Sequence, residues 1–571
     1  MEKKIWTIIV QISGENDLLM DSISAFNEIA SYGSTDEINF IVLMDRMKVE
    51  GELPEKYKGY EFLLNPDAAK PCVYYSKKQI TYDKAKPFKV YENDDLVNPD
   101  NLSEIIKKIK EDFPAKNLGY IYKGHGQPGG TDVDTGTFVA KIFKVEMDEY
   151  NSDGSINKDK LLPRLRKIIK NESKGWRFYD EYFVLDDNET RPRVVLAMLY
   201  KGDEKFLTYK GLEKALSQAL GNDKFEFLLL DCCWGMMMEN VHQFKDVTKY
   251  FIASEDEMPA LGMGYSLFVK LITEKPGLKP HELAKMLVSV FYSIRFDDYL
   301  SSEEFKYMGI SLTCTESNLY TDMVFTPLKK LIKNLRDNMP QHASDIYKSL
   351  GKCRDFTYSK STEYDMYNLD LIWFLENLFL HTNDIQLKID ISTTILNIRL
   401  YLTRGHMENN YDTPSLTNKE RYIGARGIAI TFPKTEGYYK RSILNQNKGI
   451  YLPFFVETYW RDMVRAFYKY NKRISDLIEI ISTEKDNDTI INWYKKLDVD
   501  LKPHSSDFTT IRTGIDIQNK SYNLKSGNFS DLFKKVYDLS DPGNEISDNN
   551  KTLKIFLDDD ELDSSGKWKK L

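Results

Sequence analysis

Apolar residues over the first 270 positions fall into short unbroken runs, separated by stretches where they recur at helical spacing. Residues 5–12 form a β-branched run, and residues 18–29 repeat apolar positions three and four apart, as an amphipathic helix does. Residues 38–44 read as a second buried strand. Residues 59–90 show broken alternation and several prolines, which suits irregular hairpins. Asn101 is placed to cap a helix over residues 102–113, and residues 118–122 form another strand. Thr208 can cap a helix over 210–220, and residues 225–230 are a strand that is apolar apart from Glu226. Strands alternating with helices predict an α/β fold with a doubly wound, mostly parallel sheet flanked by helices on both faces.

Residues 127–206 interrupt this pattern with an Asp/Gly/Thr-rich loop, a basic segment at 161–170 and a strand-like run at 193–200. From 264 to 402 the periodicity is mainly helical, as at 328–335 and 369–380. Residues 427–432 return to a short strand before Pro433, and beyond Tyr470 the chain becomes polar. The expected organisation is an α/β domain over 1–270 with an insertion at about 130–206. A mainly helical region over 271–470 and a polar module over 471–571 follow. There is no internal repeat.

Composition narrows the function. Of 571 residues, 79 are Lys or Arg and 87 are Asp or Glu, a net charge of −8 that argues against a general nucleic-acid binder. No apolar run approaches the roughly 20 residues of a membrane helix. The apolar stretch after Lys4 reads as a core strand rather than a signal peptide, which places the protein in the cytoplasm. Five cysteines are too few for a disulfide framework and fit a reducing compartment that leaves a thiol free. Zinc is disfavoured because the seven histidines are scattered and His281-Glu282 lacks a second His at metal-binding spacing.

Two strand ends carry candidate chemistry. The strand at 118–122 runs into Lys123-Gly124-His125-Gly126, and the strand at 225–230 runs into Asp231-Cys232-Cys233-Trp234-Gly235. In a parallel sheet, functional residues gather at the carboxyl ends of the strands. If the two strands are neighbours, a His faces a Cys, the minimum for thiolate chemistry: the Cys attacks, and the His activates it and protonates the leaving group. The glycines beside His125 allow close backbone approach, and their N–H groups are candidate oxyanion donors. A lone His after a strand, or a Cys ending one, is more often structural, and adjacent cysteines leave the nucleophile undecided. The glycine-rich stretch from Gly124 lacks the spacing of a phosphate loop.

Ordered matches across residues 6–470 then resemble the clostripain-like cysteine peptidases of the caspase-like clan. The matches begin with Trp6-Thr7-Ile8-Ile9-Val10, Asn16-Asp17-Leu18, Asn27-Glu28-Ile29-Ala30 and the strand leading to Asp45-Arg46. They continue through Phe113-Pro114, the Asp231-Cys232-Cys233 motif with Glu239, and Ser254-Glu255 with Pro259. Asn368-Leu369-Asp370, the strand before Pro433 and Thr458-Tyr459-Trp460 complete them. The resemblance implies a caspase-like fold and a cysteine endopeptidase acting on protein or peptide substrates. The family's nucleophile lies two residues after its Asp and six before its Glu, which selects Cys233 and leaves Cys232 to packing. His125 is then the general base and acid, and the backbone N–H groups of Gly126 and Cys233 form the oxyanion hole.

Asp231 would line the pocket for the residue before the cut, where a buried carboxylate demands Arg or Lys. Ser254, Glu255 and Glu257 join it as substrate-binding residues. Two departures stand out. Gly235 replaces the family's usual Met, and Pro259-Ala260-Leu261-Gly262-Met263 lacks the family's second pocket acid and its Trp, for which Glu255, Asp256 and Glu257 could compensate. The resemblance also implies calcium as a candidate cofactor, although the chemistry itself requires none. It further implies self-cleavage between the His and Cys strands. Residues 150–157 suit an exposed cleavable loop there, and the basic run from Arg164 to Lys167 suits a pseudosubstrate. The competing reading is a catalytically silent scaffold that binds a protein partner through 471–571.

Overall fold

A computed structural model of the chain describes residues 3–14, 18–46, 48–51, 70–91, 96–126, 130–144 and short pieces between 160 and 185. It further describes 194–256, 258, 262–301, 311–353, 368–404, 426–433, 452–470, 546–548 and 551–553. The chain forms two compact units: Met1–Met236 with Gln243–Ser317 and Thr403–Thr417, and Met237–His242 with Asn318–Leu402 and Asn418–Leu571.

In chain order the strands of the first unit are β1 (Lys4–Gly14), β2 (Ile38–Arg46), β3 (Lys48–Gly51), β4 (Cys72–Tyr75), β5 (Lys89–Val90) and β6 (Ala115–Lys123). Then come β7 (Gly130–Lys144), β8 (Arg177–Phe178), β9 (Val184–Leu185), β10 (Val194–Thr208), β11 (Phe225–Asp231), β12 (Thr248–Ala253) and β13 (Thr313–Glu316). After β14 (Asn368–Asp370) of the second unit, β15 (Leu402–Arg404) completes a nine-stranded sheet of order β15-β13-β12-β11-β6-β1-β2-β4-β5. The five central strands, from β12 to β2, are parallel, and β13, β4 and β5 pair antiparallel at the flanks.

Burial on both faces explains why these central strands read as unbroken apolar runs. Every residue of β2 is buried, and so is all of β1 beyond Ile5. Each large aliphatic or aromatic side chain removed from water in this way contributes about 1.5–3 kcal/mol. Helix Leu19–Ala30 places Ile23, Phe26 and Ile29 in the same core. Helix Pro99–Asp112 starts earlier than the sequence pattern suggests. Its cap is Asn98, whose side chain accepts from the Asp100 N–H at 2.9 Å, with Pro99 in the first turn; Asn101 lies within the helix. Thr208 caps helix Tyr209–Leu220 through the Gly211 N–H.

The insertion after His125 differs from expectation in its first part. The Asp/Gly/Thr-rich stretch forms strand β7, not a loop. β7 pairs antiparallel with β10 along all fifteen residues, from Gly130 opposite Thr208 to Lys144 opposite Val194. β3 joins β7, and β8 and β9 join β10, so a second sheet is built from the chain between the His and Cys strands together with β3 from before them. Pairing with a distant strand overrides the weak local preference of Gly and Asp for turns. Residues 150–157 lie outside the described residues.

The second unit is mainly helical, with helices Thr326–Asp337, Met339–Lys352, Leu371–His381 and Ile385–Tyr401. β14 pairs there with β16 (Ala429–Thr431). Trp460 is fully buried beside Phe374 and Phe432 and donates its Nε1–H to the Thr431 carbonyl at 2.9 Å. Of residues 471–571 only the pair β17 (Ile546–Asp548) and β18 (Lys551–Leu553) is described. Among the described residues no helix is long and apolar enough to cross a membrane.

Candidate active site

β6 and β11 are neighbours, with Lys123 opposite Asp231 at their carboxyl ends. The strand order reverses between β1 and β6, so both loops open beside the switch point of the sheet. The Gly124 N–H donates to the Asp231 carbonyl at 3.3 Å and ties the two loops together. Half-buried His125 follows directly. A Cβ added to Gly126 would lie 2.3 Å from the Cys233 carbonyl oxygen and 2.6 Å from Cys232 Sγ. Only glycine permits that approach, which brings the His loop into contact with the Cys loop.

The two adjacent cysteines occupy different environments. Cys232 is buried, its Sγ 3.7 Å from the Tyr209 hydroxyl, and burial pushes its thiol well above the ordinary range. A thiol held protonated in this way is inert. Cys233 is partly exposed, and its Sγ accepts the Met258 N–H at 3.3 Å. The same Sγ lies 3.8 Å from the Met258 carbonyl, to which the thiol can donate.

The turn after Cys233 is tightly specified. Trp234 adopts a left-handed φ of 51°, and its N–H donates to the Asp256 carbonyl at 3.0 Å. Left-handed backbone at a non-glycine residue costs on the order of 1–2 kcal/mol, so the neighbouring contacts must hold it. A Cβ on Gly235 would lie 2.8 Å from Ala253 Cβ, which explains a glycine where the family usually has Met. Met236, fully buried, donates its N–H to the Ser254 carbonyl at 2.6 Å.

Asp231 is 2% exposed. Its Oδ2 accepts the Tyr265 hydroxyl at 2.7 Å and the Met263 N–H at 3.3 Å, and it lies 3.9 Å from Lys123 Nζ. Lys123, Tyr265 and Met263 were not singled out from sequence. The visible signal was a Lys at the carboxyl end of the His strand, two residues before His125. Ser254 and Glu255 are brought to the neighbouring end of β12, and both are buried. Ser254 Oγ accepts the Asp256 N–H, while Glu255 exchanges hydrogen bonds with Ser311. These contacts hold the loop together from within. Glu257 lies outside the described residues, as do Pro259, Ala260 and Leu261. In the insertion, Leu161 is buried and Lys167 is exposed.

Among the described residues, no group of three or more His, Cys, Asp or Glu side chains is placed to hold a metal ion. No step below is routed through a metal ion.

A model of the clostripain family matches residues 183–500, more than half of the chain, spanning Asp231, Cys233 and Glu239 but beginning after His125. A search of curated proteins found no match. Similar solved structures include a secreted C11 cysteine protease from Bacteroides thetaiotaomicron in complex with an irreversible peptide inhibitor. It is 14% identical, with a TM-score of 0.45, over 80% of this chain and 99% of that one. An inactive zymogen C11 protease from Parabacteroides distasonis matches with the same identity, coverage and TM-score.

The cytoplasmic placement expected from the sequence is corrected here, since the similar structures include secreted proteases. Both of its physical grounds also fail. Four of the five cysteines are buried, so their unpaired state follows from packing and reports nothing about redox compartment. The apolar stretch after Lys4 is a sheet-centre strand, and its role in the core says nothing about export.

Proposed function

The chain belongs to the clostripain family and is a cysteine-type peptidase; from that premise we propose an endopeptidase in which Cys233 is the nucleophile and His125 its acid–base partner. The observation that supports it most is the contrast between the two cysteines: Cys233 alone is partly exposed and receives a backbone N–H on sulfur. His125 takes the Cys233 proton, and the thiolate attacks the carbonyl carbon of the peptide bond. The N–H groups of Gly126 and Cys233 stabilise the oxyanion, and His125 returns the proton to the leaving amine. Water, activated by the same His125, then hydrolyses the acyl-enzyme. Asp231, beside the nucleophile at the end of β11, supplies a preference for Arg or Lys before the cut.

The insertion between His125 and Cys233 is the proposed place of self-cleavage, because its first strand, β7, begins at Gly130, shortly after His125. Cys233→Ala should abolish peptide cleavage and labelling by a thiol-reactive peptide, while Cys232→Ala keeps most of both. An inactive Cys232→Ala beside an active Cys233→Ala would overturn the assignment. Mass spectrometry of the native and Cys233→Ala chains tests processing: a cut confined to the native chain supports it, and two intact chains with full native activity reject it. A chain without peptidase activity would instead favour a scaffold.

A further inference from the structure

We propose that Lys123 is a specificity-determining residue: it neutralises Asp231 from within the fold and thereby limits the enzyme's preference for a cationic side chain before the cut. The proposal rests on the peptidase reading above and on Asp231 as the recognition carboxylate. Lys123 and Asp231 face each other in register at the ends of β6 and β11, so their side chains leave the sheet on the same side. Both side chains are withdrawn from solvent, at 2% and 0% exposure, with Nζ 3.9 Å from Oδ2. Oδ2 is further engaged by the Tyr265 hydroxyl and the Met263 N–H.

Gly262 packs against the pair. It holds a left-handed φ of 71°, and a Cβ there would lie 2.3 Å from Oδ2 and 2.8 Å from Nζ. Oδ2 thus already has a cation, two donors and a backbone neighbour, while Oδ1 is buried and accepts no hydrogen bond among the described residues. A substrate Arg or Lys arriving at this site meets a neutral pair with a like charge beside it, and like charges placed together oppose binding. Part of the attraction that would separate a basic from an uncharged side chain is taken up by Lys123. The preference for a basic over an uncharged residue before the cut should therefore be weaker than a carboxylate without an internal cation would give.

The test compares kcat/KM for peptides differing only in the residue before the cut, Arg, Lys, Gln or norleucine. A buried carboxylate without an internal cation should favour Arg over norleucine by at least about 30-fold. The native enzyme is expected to fall below that, and a native ratio above it overturns the proposal whether or not any variant folds. Lys123→Met should raise the Arg-to-norleucine ratio at least about tenfold through a lower KM for the Arg peptide. Lys123→Met with Asp231→Asn should return it to the native value or lower. A ratio unchanged or lowered in folded Lys123→Met also overturns it. Failure of the peptidase reading looks different: no peptide of the panel is cleaved, or cleavage survives Cys233→Ala.

Discussion

Two buried carboxylates lie a short way apart along the same stretch of chain, and the folded protein treats them differently. Asp231, in the sheet unit, has a buried lysine, a tyrosine hydroxyl and a backbone N–H. Glu239, in the helical unit, is fully buried with neutral donors only: Thr431 supplies its hydroxyl at 2.6 Å and its N–H at 3.3 Å. Burial without a cation raises the Glu239 carboxyl to about 7, although the Thr431 hydrogen bonds pull it down. The contrast teaches that desolvation sets a buried acid's protonation unless a counter-charge is built in beside it. One carboxylate is built into a buried ion pair, and the other becomes sensitive to pH.

The sharpest way to break the contrast is to remove the cation. Lys123→Met strands Asp231 as a buried charge, and the sheet unit should lose about 3–5 kcal/mol in urea unfolding. Restoring neutrality with Asp231→Asn in the same chain should recover much of that loss. A stable single variant would mean that the pair contributes nothing to the fold.

Next in size is the pH dependence of Glu239. Its carboxyl is raised in the folded state, so between about 4.5 and 7 the folded protein holds a proton that the unfolded chain has released. Stability from this group is therefore fully present below about 4.5 and is lost as pH rises through about 7. The loss should be on the order of 3 kcal/mol. Glu239→Gln, which imitates the protonated form, should flatten this part of the stability curve in thermal melts. An identical curve for native protein and variant would remove Glu239 from the account.

Smaller effects sharpen the comparison further. Tyr265→Phe deletes the 2.7 Å hydroxyl contact to Asp231 and should cost about 1.5–3 kcal/mol, as bonds to charged groups do. Thr431→Val removes the hydroxyl from Glu239, should cost about 1–2 kcal/mol, and should move the pH transition upward. A downward movement would show that the Thr431 hydrogen bond does not favour the ionised form.

Much of the frame was legible because local patterns are set by near neighbours in the chain. The apolar runs of β1, β2, β6 and β11 announced buried parallel strands, and the Thr208 cap was read correctly. Asn98 caps the helix where Asn101 was expected, since both residues precede an amphipathic run and Pro99 in the first turn decides between them. β7 was missed because its Gly, Asp and Thr residues favour turns locally, and only the distant β10 makes the segment a strand.

By itself, then, the sequence determined the alternation of strands and helices, the two strand ends that carry His125 and Cys233, and membership of the family. Only the tertiary structure decided that β6 and β11 are adjacent, that Cys232 is buried while Cys233 reaches solvent, and that Asp231 is already held by Lys123. The physical reason is range. Hydrophobic periodicity and capping are encoded within a few residues, whereas burial, desolvation and ion pairing depend on partners brought together from far along the chain.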